Sequence, residues 1–180
     1  DTENWVNYLT ASADWYFESG QNGAELGYSV HTAGDLNADG YDDIIIGAPL
    51  FIPPGDNDKD GAAFVFYGAP GGLKAIPDRL ISIGRQGSRF GCSVSSAGDV
   101  DGDGYDDLLV GAEEYKVAFE ATTGEPKSGA AFLYLGSKDG LAQTASWFHI
   151  AEAPEIAFGF SVAAAGDVDQ DGFDDILVGA

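Results

Sequence analysis

The sequence predicts an all-β fold, a β-propeller of which about three blades are present. The first observation is a 15-residue segment that occurs three times, beginning at Gly34, Gly98 and Gly166, with eight positions identical in every copy. The second is a succession of short strand patterns separated by Gly- and Asp-rich turns, without an amphipathic helical pattern of useful length. Four strand patterns in a period of 64–68 residues are typical of a propeller blade with long loops.

The strand patterns recur in one order, and we call them A to D. In the second repeat, strand A alternates large apolar and small residues over residues 90–97, and strand B is the apolar run 108–110. Strand C covers residues 130–135, and strand D begins near Trp147. Trp15 occupies the same repeat position as Trp147, so a further strand D is expected to begin there.

These repeats predict a single partial propeller over residues 1–180. Residues 1–25 hold strand D of a preceding blade and a linker, residues 26–89 the first repeat, residues 90–157 the second, and residues 158–180 strands A and B of the third. Since small closed propellers need at least about four blades, we expect an arc of a larger propeller, completed by further blades from the same or another chain.

The composition excludes several classes of protein. The chain carries 30 Asp and Glu against 8 Lys and Arg, a net charge of −22, which repels nucleic-acid phosphate and anionic lipid. It contains 22 aromatic residues, unlike disordered acidic chains. No apolar run approaches the ~20 residues of a membrane span, so neither nucleic-acid binding nor membrane insertion is expected. A single cysteine, Cys92, excludes an intramolecular disulfide.

An acidic nine-residue loop connects strands A and B in each repeat. It has oxygen-bearing side chains at positions 1, 3, 5 and 9, Gly at position 6, and a residue at position 7 that can offer its backbone carbonyl. This is the oxygen-rich front half of a calcium loop. The candidate ligands are Asp35, Asn37, Asp39, Tyr41 and Asp43; Asp99, Asp101, Asp103, Tyr105 and Asp107; and Asp167, Asp169, Asp171, Phe173 and Asp175.

Other interpretations of acidic loops are less favourable. An EF-hand needs a bidentate Glu at position 12, where the three loops have Ile46, Val110 and Val178. A solvated acidic turn is less probable for three matching copies than for one. We expect the first Asp of each Asp-Asp pair, which is Asp42, Asp106 or Asp174, to face outward or to hydrogen-bond backbone amides. A fourth acidic run, residues 56–60, is interpreted as a flexible, exposed B–C loop.

A Phe-Gly pair at the start of strand A and a Gly-Ala pair after strand B, with the Asp-x-Asp-x-Asp-Gly-x-x-Asp loop between them, form a joint pattern. This pattern resembles the FG-GAP repeat of integrin α-subunit propellers and bacterial extracellular proteins. Leu26 replaces the Phe in the first copy. The resemblance implies Ca²⁺ in each A–B loop, hence three sites, and an extracellular or cell-surface location. It also implies a larger ring, because the integrin-like propeller has seven blades.

The leading functional hypothesis is a calcium-stabilised, non-catalytic module for adhesion or partner binding. Its protein or glycan ligand is expected on the face opposite the calcium loops, because the B–C and D–A loops there differ among repeats. Arg85 and Arg89 belong to one such loop and could pair with an acidic partner. Two alternatives stay open: the propeller part of a secreted polysaccharide- or lipid-degrading enzyme, and a self-assembling surface or filament subunit.

The remaining side chains with possible chemistry have structural interpretations. His31 and His149 fall within strand patterns, so they are interpreted as packed or edge histidines rather than catalytic groups. Cys92 lies on the apolar face of strand A and is interpreted as a core residue. Trp15 and Trp147 are expected to pack between blades, and the sequence assigns no role to Trp5.

Overall fold

A computed structural model describes residues 13–116, 127–153 and 156–180. The expectations for residues 1–12, which include Trp5, and for parts of two loops lie outside these ranges. No helix in the described ranges has the length and apolarity needed to cross a membrane. The strands are β1 (Ser29–Gly34), β2 (Asp43–Ala48), β3 (Ala62–Phe66), β4 (Arg79–Ile81), β5 (Ser93–Gly98), β6 (Asp107–Ala112), β7 (Ala130–Tyr134), β8 (Trp147–Ile150), β9 (Ser161–Gly166) and β10 (Asp175–Gly179).

The strands form three antiparallel sheets, one for each repeat. Strands β1 to β4 and β5 to β8 form two four-stranded sheets in chain order, and β9 pairs with β10 in a third. The innermost strands β1, β5 and β9 pack side by side, so consecutive sheets stand next to one another like blades. Together with the sequence repeats, this arrangement confirms the all-β propeller fold with about three blades.

The apolar core lies between neighbouring sheets rather than within one of them. Strands β2 and β6 are buried along almost their entire length, which explains why strand B is a continuous apolar run. In β6, Leu108 and Val110 pack toward the first repeat, whereas Leu109 packs toward the third. The second sheet therefore stabilises both of its neighbours through alternate side chains.

Gly61 and Gly91 lie where the backbones of two repeats touch. A Cβ on Gly61 would lie 2.3 Å from the carbonyl oxygen of Phe90, and a Cβ on Gly91 would lie 2.4 Å from that of Ala62. The N–H of Phe90 also donates to the carbonyl of Asp60 at 3.2 Å. The Phe-Gly pair of one repeat thus joins the start of strand C in the preceding repeat, at the rim opposite the acidic loops.

The segment that precedes β1 packs against the first sheet without forming a strand in residues 13–25. The Trp15 ring meets Phe66 edge-on with centroids 5.0 Å apart, and its indole N–H donates to the carbonyl of Lys74 at 2.8 Å. Trp15 therefore packs against the first sheet, and its expected place between two blades stays a prediction. No strand is assigned over residues 13–25; since the predicted strand D would pair with strand C of the preceding blade and not with β3, it stays a prediction. Trp147 lies in β8 and stacks on His149.

Candidate metal-binding loops

The three acidic loops connect β1 to β2, β5 to β6 and β9 to β10, and all three lie on one rim of the blades. In each ladder the Gly before the loop pairs with the Asp at position 9: Gly34 with Asp43, and Gly98 with Asp107. A register shift in the strand pairing lies next to this pair. The ends of each loop are consequently held together by the sheet, which leaves the loop's oxygen atoms to converge.

The first carboxylate of each loop organises the backbone around it. In the first loop, Asp35 accepts hydrogen bonds from the N–H groups of Asp39 at 3.0 Å and Gly40 at 2.8 Å. Asp99 accepts from Asp103 and Gly104, and Asp167 from Asp171 and Gly172, in the same pattern. The side chains at positions 3 and 5 accept further loop amides in all three copies. The repeated sequence therefore folds into one repeated loop conformation.

The carboxylate at position 9 lies at the base of the loop and accepts hydrogen bonds from two backbone amides. Asp43 is almost fully buried and accepts the N–H of Leu36 at 2.9 Å and that of Gly68 at 2.8 Å. Asp107 makes the equivalent bonds to Val100 and Gly136. Burial raises the pKa of Asp43 and of Asp107 to about 6, while these backbone hydrogen bonds act in the opposite direction. A buried carboxylate of this kind is costly to ionise without a nearby positive charge.

Positions 1, 3 and 9 bring their oxygen atoms together. In the second loop, carboxylate oxygens of Asp99, Asp101 and Asp107 all lie within 4.8 Å of one another, and the third loop repeats this arrangement. Burial, and then the negative charges of Asp103 and Asp99, raise the pKa of Asp101. An all-oxygen donor set with this much negative charge fits a hard divalent cation such as Ca²⁺ rather than zinc.

The individual loops differ in composition and exposure. The first loop has Asn37 where the others have Asp101 and Asp169, so it offers one carboxylate fewer. The third loop is the most exposed: Val168, at position 2, is 68% exposed, whereas its counterpart Leu36 is fully buried between repeats. At position 7, Tyr41 and Phe173 have exposed side chains. Their part in the predicted sites is that of the backbone carbonyl alone.

The first Asp of the Asp-Asp pair accepts a hydrogen bond from a backbone amide, as expected, in Asp106 and Asp174. The amide that each of them binds belongs to the preceding repeat: Asp106 accepts the N–H of Asp35, and Asp174 accepts that of Asp99. Asp42, the counterpart in the first loop, is exposed. The sequence contained a signal for this contact, since this Asp and the Gly before the loop are identical in all copies, but it did not say which repeat would be contacted.

The fourth acidic run differs from expectation at its last residue. Residues 56–59 are exposed as predicted, but Asp60 is only 3% exposed, and no hydrogen-bond partner for its Oδ1 occurs among the described residues. Burial, and then the charges of Asp56 and Asp58, raise the pKa of Asp60. The interpretation of the whole run as an exposed loop is therefore wrong for Asp60, because this residue begins the segment that contacts the next repeat through Phe90.

The two arginines considered for partner binding contact groups of this chain. Arg89 donates to Glu113 at 2.7 Å and to Glu25 at 3.4 Å. Arg85 donates to the hydroxyl of Tyr115 at 3.2 Å and lies over its ring. Both side chains thus connect loops on the rim opposite the acidic loops.

The remaining candidates lie in structural surroundings. Cys92 is 4% exposed, and burial raises the pKa of its thiol to about 11. His31 is an exposed residue of β1 with its Nδ1 2.6 Å from the carbonyl oxygen of Thr32. His149 in β8 contacts the rings of Trp147 and Phe158. These positions agree with the core interpretation of Cys92 and with strand positions for both histidines.

Comparison with known proteins adds independent findings. The family model of the FG-GAP repeat matches residues 26–66, 90–134 and 158–180. Integrin alpha-PS5 of Drosophila melanogaster is 37% identical over 171 residues, which are 91% of this chain and 16% of that protein. Integrin alpha-V of Gallus gallus is 34% identical over 184 residues, 97% of this chain and 16% of that protein. Integrin alpha-IIb of Homo sapiens is 32% identical over 166 residues, 89% of this chain and 15% of that protein. The chain thus spans only about a sixth of the length of these curated relatives.

Proposed function

This chain belongs to the FG-GAP repeat family, and from that premise we propose that it is a calcium-stabilised, non-catalytic propeller module that serves adhesion or partner binding at the cell surface or outside the cell. The observation that carries this proposal is the threefold repetition of one acidic loop with one hydrogen-bond pattern. The similarity to proteins named integrin α supports the adhesive role.

Calcium fits the loops because their donors are oxygen atoms and their charge is uncompensated. Eleven carboxylates occupy positions 1, 3, 5 and 9, and three Ca²⁺ ions would change the net charge from −22 to −16. Side chains at positions 1, 3, 5 and 9, with the carbonyl at position 7, would hold each ion. The ion would supply the positive charge that a buried carboxylate such as Asp43 or Asp107 needs, so that calcium is structural.

A partner-binding surface is proposed on the rim opposite the calcium loops. The B–C and D–A loops reach that rim, and they differ between repeats, whereas the three acidic loops share one conformation. In the first repeat the exposed part of the B–C loop, residues 54–59, carries two acidic groups and one lysine. A rigid scaffold with variable loops is a common layout for binding a protein or glycan.

Further blades are a second class of partner in this proposal. On the first sheet, Val30 is 62% exposed and Tyr28 51% exposed; on the third, Leu177 is 61% exposed and Phe160 58% exposed. In the second repeat, Val94 and Cys92, which match Val30 and Tyr28, are buried by a neighbouring sheet. Neighbouring propeller blades, from the same or another chain, would bury these exposed side chains of the first and third sheets in the same way.

The calcium proposal is tested by thermal unfolding of the chain in 1 mM CaCl₂ and in EGTA. With a Kd of about 10⁻⁴ M, each site contributes about 1.4 kcal/mol, or about 4 kcal/mol for three sites. Titration calorimetry should count three sites, and Asp101→Ala should remove one. MgCl₂ at the same concentration is the control for ionic strength. A midpoint that is the same in calcium and in EGTA contradicts the proposal.

The partner surface is tested on an array of extracellular matrix proteins and glycans in calcium. Replacing residues 54–58 with Gly and Ser should weaken any binding that the intact chain shows. The matched control replaces Lys138 and Asp139, two exposed charged residues of a C–D turn on the calcium rim, with the same residue types. Equal binding by both variants and the intact chain would locate the surface elsewhere.

A further inference from the structure

We propose that Asp106 and Asp174 are positioning residues for the metal loop of the preceding repeat, so that cation binding in one blade is coupled to docking of the next. The proposal rests on the proposed calcium function and adds to it a residue role that crosses the boundary between repeats. It predicts that a substitution within the second loop changes the cation affinity of the first.

The contact is a pair of hydrogen bonds, which we call the clasp. The Oδ2 of Asp106 accepts the N–H of Asp35 at 2.7 Å, and the N–H of Asp106 donates to the carbonyl of Asp35 at 3.2 Å. At the next junction, Asp174 makes the same two bonds to Asp99, at 3.0 Å and 3.1 Å. The partners are 71 and 75 residues apart in sequence, so each clasp joins two repeats.

Glycine at the position before the loop leaves space for the clasp. A Cβ on Gly34 would lie 2.2 Å from the Oδ2 of Asp106, and a Cβ on Gly98 would lie 2.1 Å from that of Asp174. Gly166, at the same position in the third repeat, would meet nothing within 4 Å among the described residues. Any side chain at Gly34 or Gly98 would therefore push the carboxylate away from the amide that it binds.

The clasp holds the residue that begins each loop. The carboxylate of Asp35 itself accepts hydrogen bonds from the amides of Asp39 and Gly40. Its N–H and its carbonyl are both bound by Asp106, so its backbone orientation is fixed by the next repeat. A third bond, from the N–H of Ser137 to the carbonyl of Leu36 at 3.0 Å, fixes the adjacent peptide in the same way.

Holding a ligand residue in its binding orientation before the cation binds raises the cation affinity of the loop. Groups that orient a metal ligand typically contribute about 10- to 100-fold to metal affinity, although they do not touch the ion. Because coupling between two equilibria is reciprocal, a cation that orders the first loop also strengthens docking of the second repeat on the first. The negative charge of Asp106 adds a smaller, longer-range attraction, which the test has to separate from the clasp.

The test uses full-length chains in which only one loop binds calcium, with affinity measured by calorimetry. Asp101→Ala with Asp169→Ala leaves the first loop active, and Asn37→Ala with Asp169→Ala leaves the second. In the first background, Asp106→Ala should lower calcium affinity about tenfold. Asp106→Asn, which keeps an acceptor oxygen but loses the charge, should recover most of that loss. In the second background, Asp106→Ala should change affinity less than threefold.

Asp42→Ala is the matched control, because Asp42 has the same repeat position but belongs to the first loop itself. In the first background, its substitution reports the loss of a nearby charge and should have a smaller effect than that of Asp106. If Asp106→Ala fails to fold, Asp174→Ala and Asp174→Asn in the second background make the same comparison at the other junction.

The outcomes separate the two proposals. Equal effects of Asp42→Ala and Asp106→Ala on the first loop, or a larger effect of Asp106→Ala on its own loop, would overturn the clasp while leaving the calcium function intact. If neither the unmodified chain nor the single-loop chains bind calcium, the proposed function is overturned, and the clasp with it.

Discussion

Gly47 and Gly91 meet backbone to backbone across the junction of the first two repeats: a Cβ on Gly47 would lie 2.0 Å from the carbonyl oxygen of Gly91. Gly111 and Gly159 repeat this relationship at the second junction, also at 2.0 Å. The glycines of the Gly-Ala and Phe-Gly pairs are thus two sides of one contact. The repeated motif therefore encodes the backbone contact between one blade and the next.

Gly47→Ala should lower the free energy of unfolding by about 3 kcal/mol, because a backbone oxygen cannot move aside without shifting a whole strand. Gly71→Ala is the matched control, since a Cβ there would meet nothing within 4 Å among the described residues, and its effect should stay within about 0.5 kcal/mol. Urea unfolding in calcium measures both. Similar stabilities of the two variants would show that the junction is looser than this contact implies.

Asp60→Ser should stabilise the protein at pH 7 by about 1–3 kcal/mol, because it removes a buried carboxylate oxygen that has no hydrogen-bond partner among the described residues. Ser128, also buried, occupies the same position in the second repeat, so a serine fits there. Chemical unfolding of both proteins at a series of pH values measures the difference.

The pH dependence of this difference has a defined sign. The folded protein holds the Asp60 proton more tightly than the unfolded chain, because its pKa lies above the ordinary value of 3.8. The unmodified protein therefore loses stability relative to Asp60→Ser as the pH rises from 3.8 through the raised pKa. The gap should close at lower pH. An advantage of the serine variant that is constant at every pH would rule out ionisation as the cause.

Cys92 should not react with a thiol reagent in the native protein at pH 7.5. Its side chain is buried, and the pKa of about 11 leaves very little thiolate. Addition of 5,5′-dithiobis(2-nitrobenzoic acid) should release about one equivalent of chromophore only after denaturant is added. Complete labelling within minutes without denaturant would mean that the first strand of the second blade opens readily.

Ala38→Gly should stabilise the first loop by about 0.5–1 kcal/mol. Ala38 has a φ of 52°, a region that costs most residues about 1–2 kcal/mol, and the second loop has Gly102 at the same position. The converse change, Gly102→Ala, should destabilise, since its Cβ would also lie 2.9 Å from the ring of Phe173. Thermal unfolding of the two variants should shift the midpoint in opposite directions, and shifts of the same sign would contradict this explanation.

The sequence predicted features that each repeat contains within itself. Strand B is apolar along its length because both of its faces are buried, and the acidic loops have one hydrogen-bond pattern because their spacing is the same. These features depend on residues close together in the chain. The equivalence of the copies also made the functional hypothesis specific, since a single acidic loop has several explanations.

Contacts between repeats were harder to predict, because a repeat pattern states what the copies share and not which copy touches which. The amide bound by Asp106 belongs to a residue 71 positions earlier. Asp60 belongs to an acidic run that reads as solvated, yet it is buried by the next repeat. Arg89 reads as a free cation in a loop, and its partner Glu113 lies 24 positions away. In each case a side chain meets another loop that only the fold brings near.

Each junction between blades is joined at two separated points, the Phe90–Gly61 contact at one rim and the Asp106–Asp35 clasp at the other. Two fixed points on neighbouring sheets leave little freedom for one sheet to rotate against the other. The angle between blades is therefore set at every junction by its own residues, and not by closure of a ring. Even a short run of these repeats therefore has a defined curvature, because each junction fixes the angle between its own two blades.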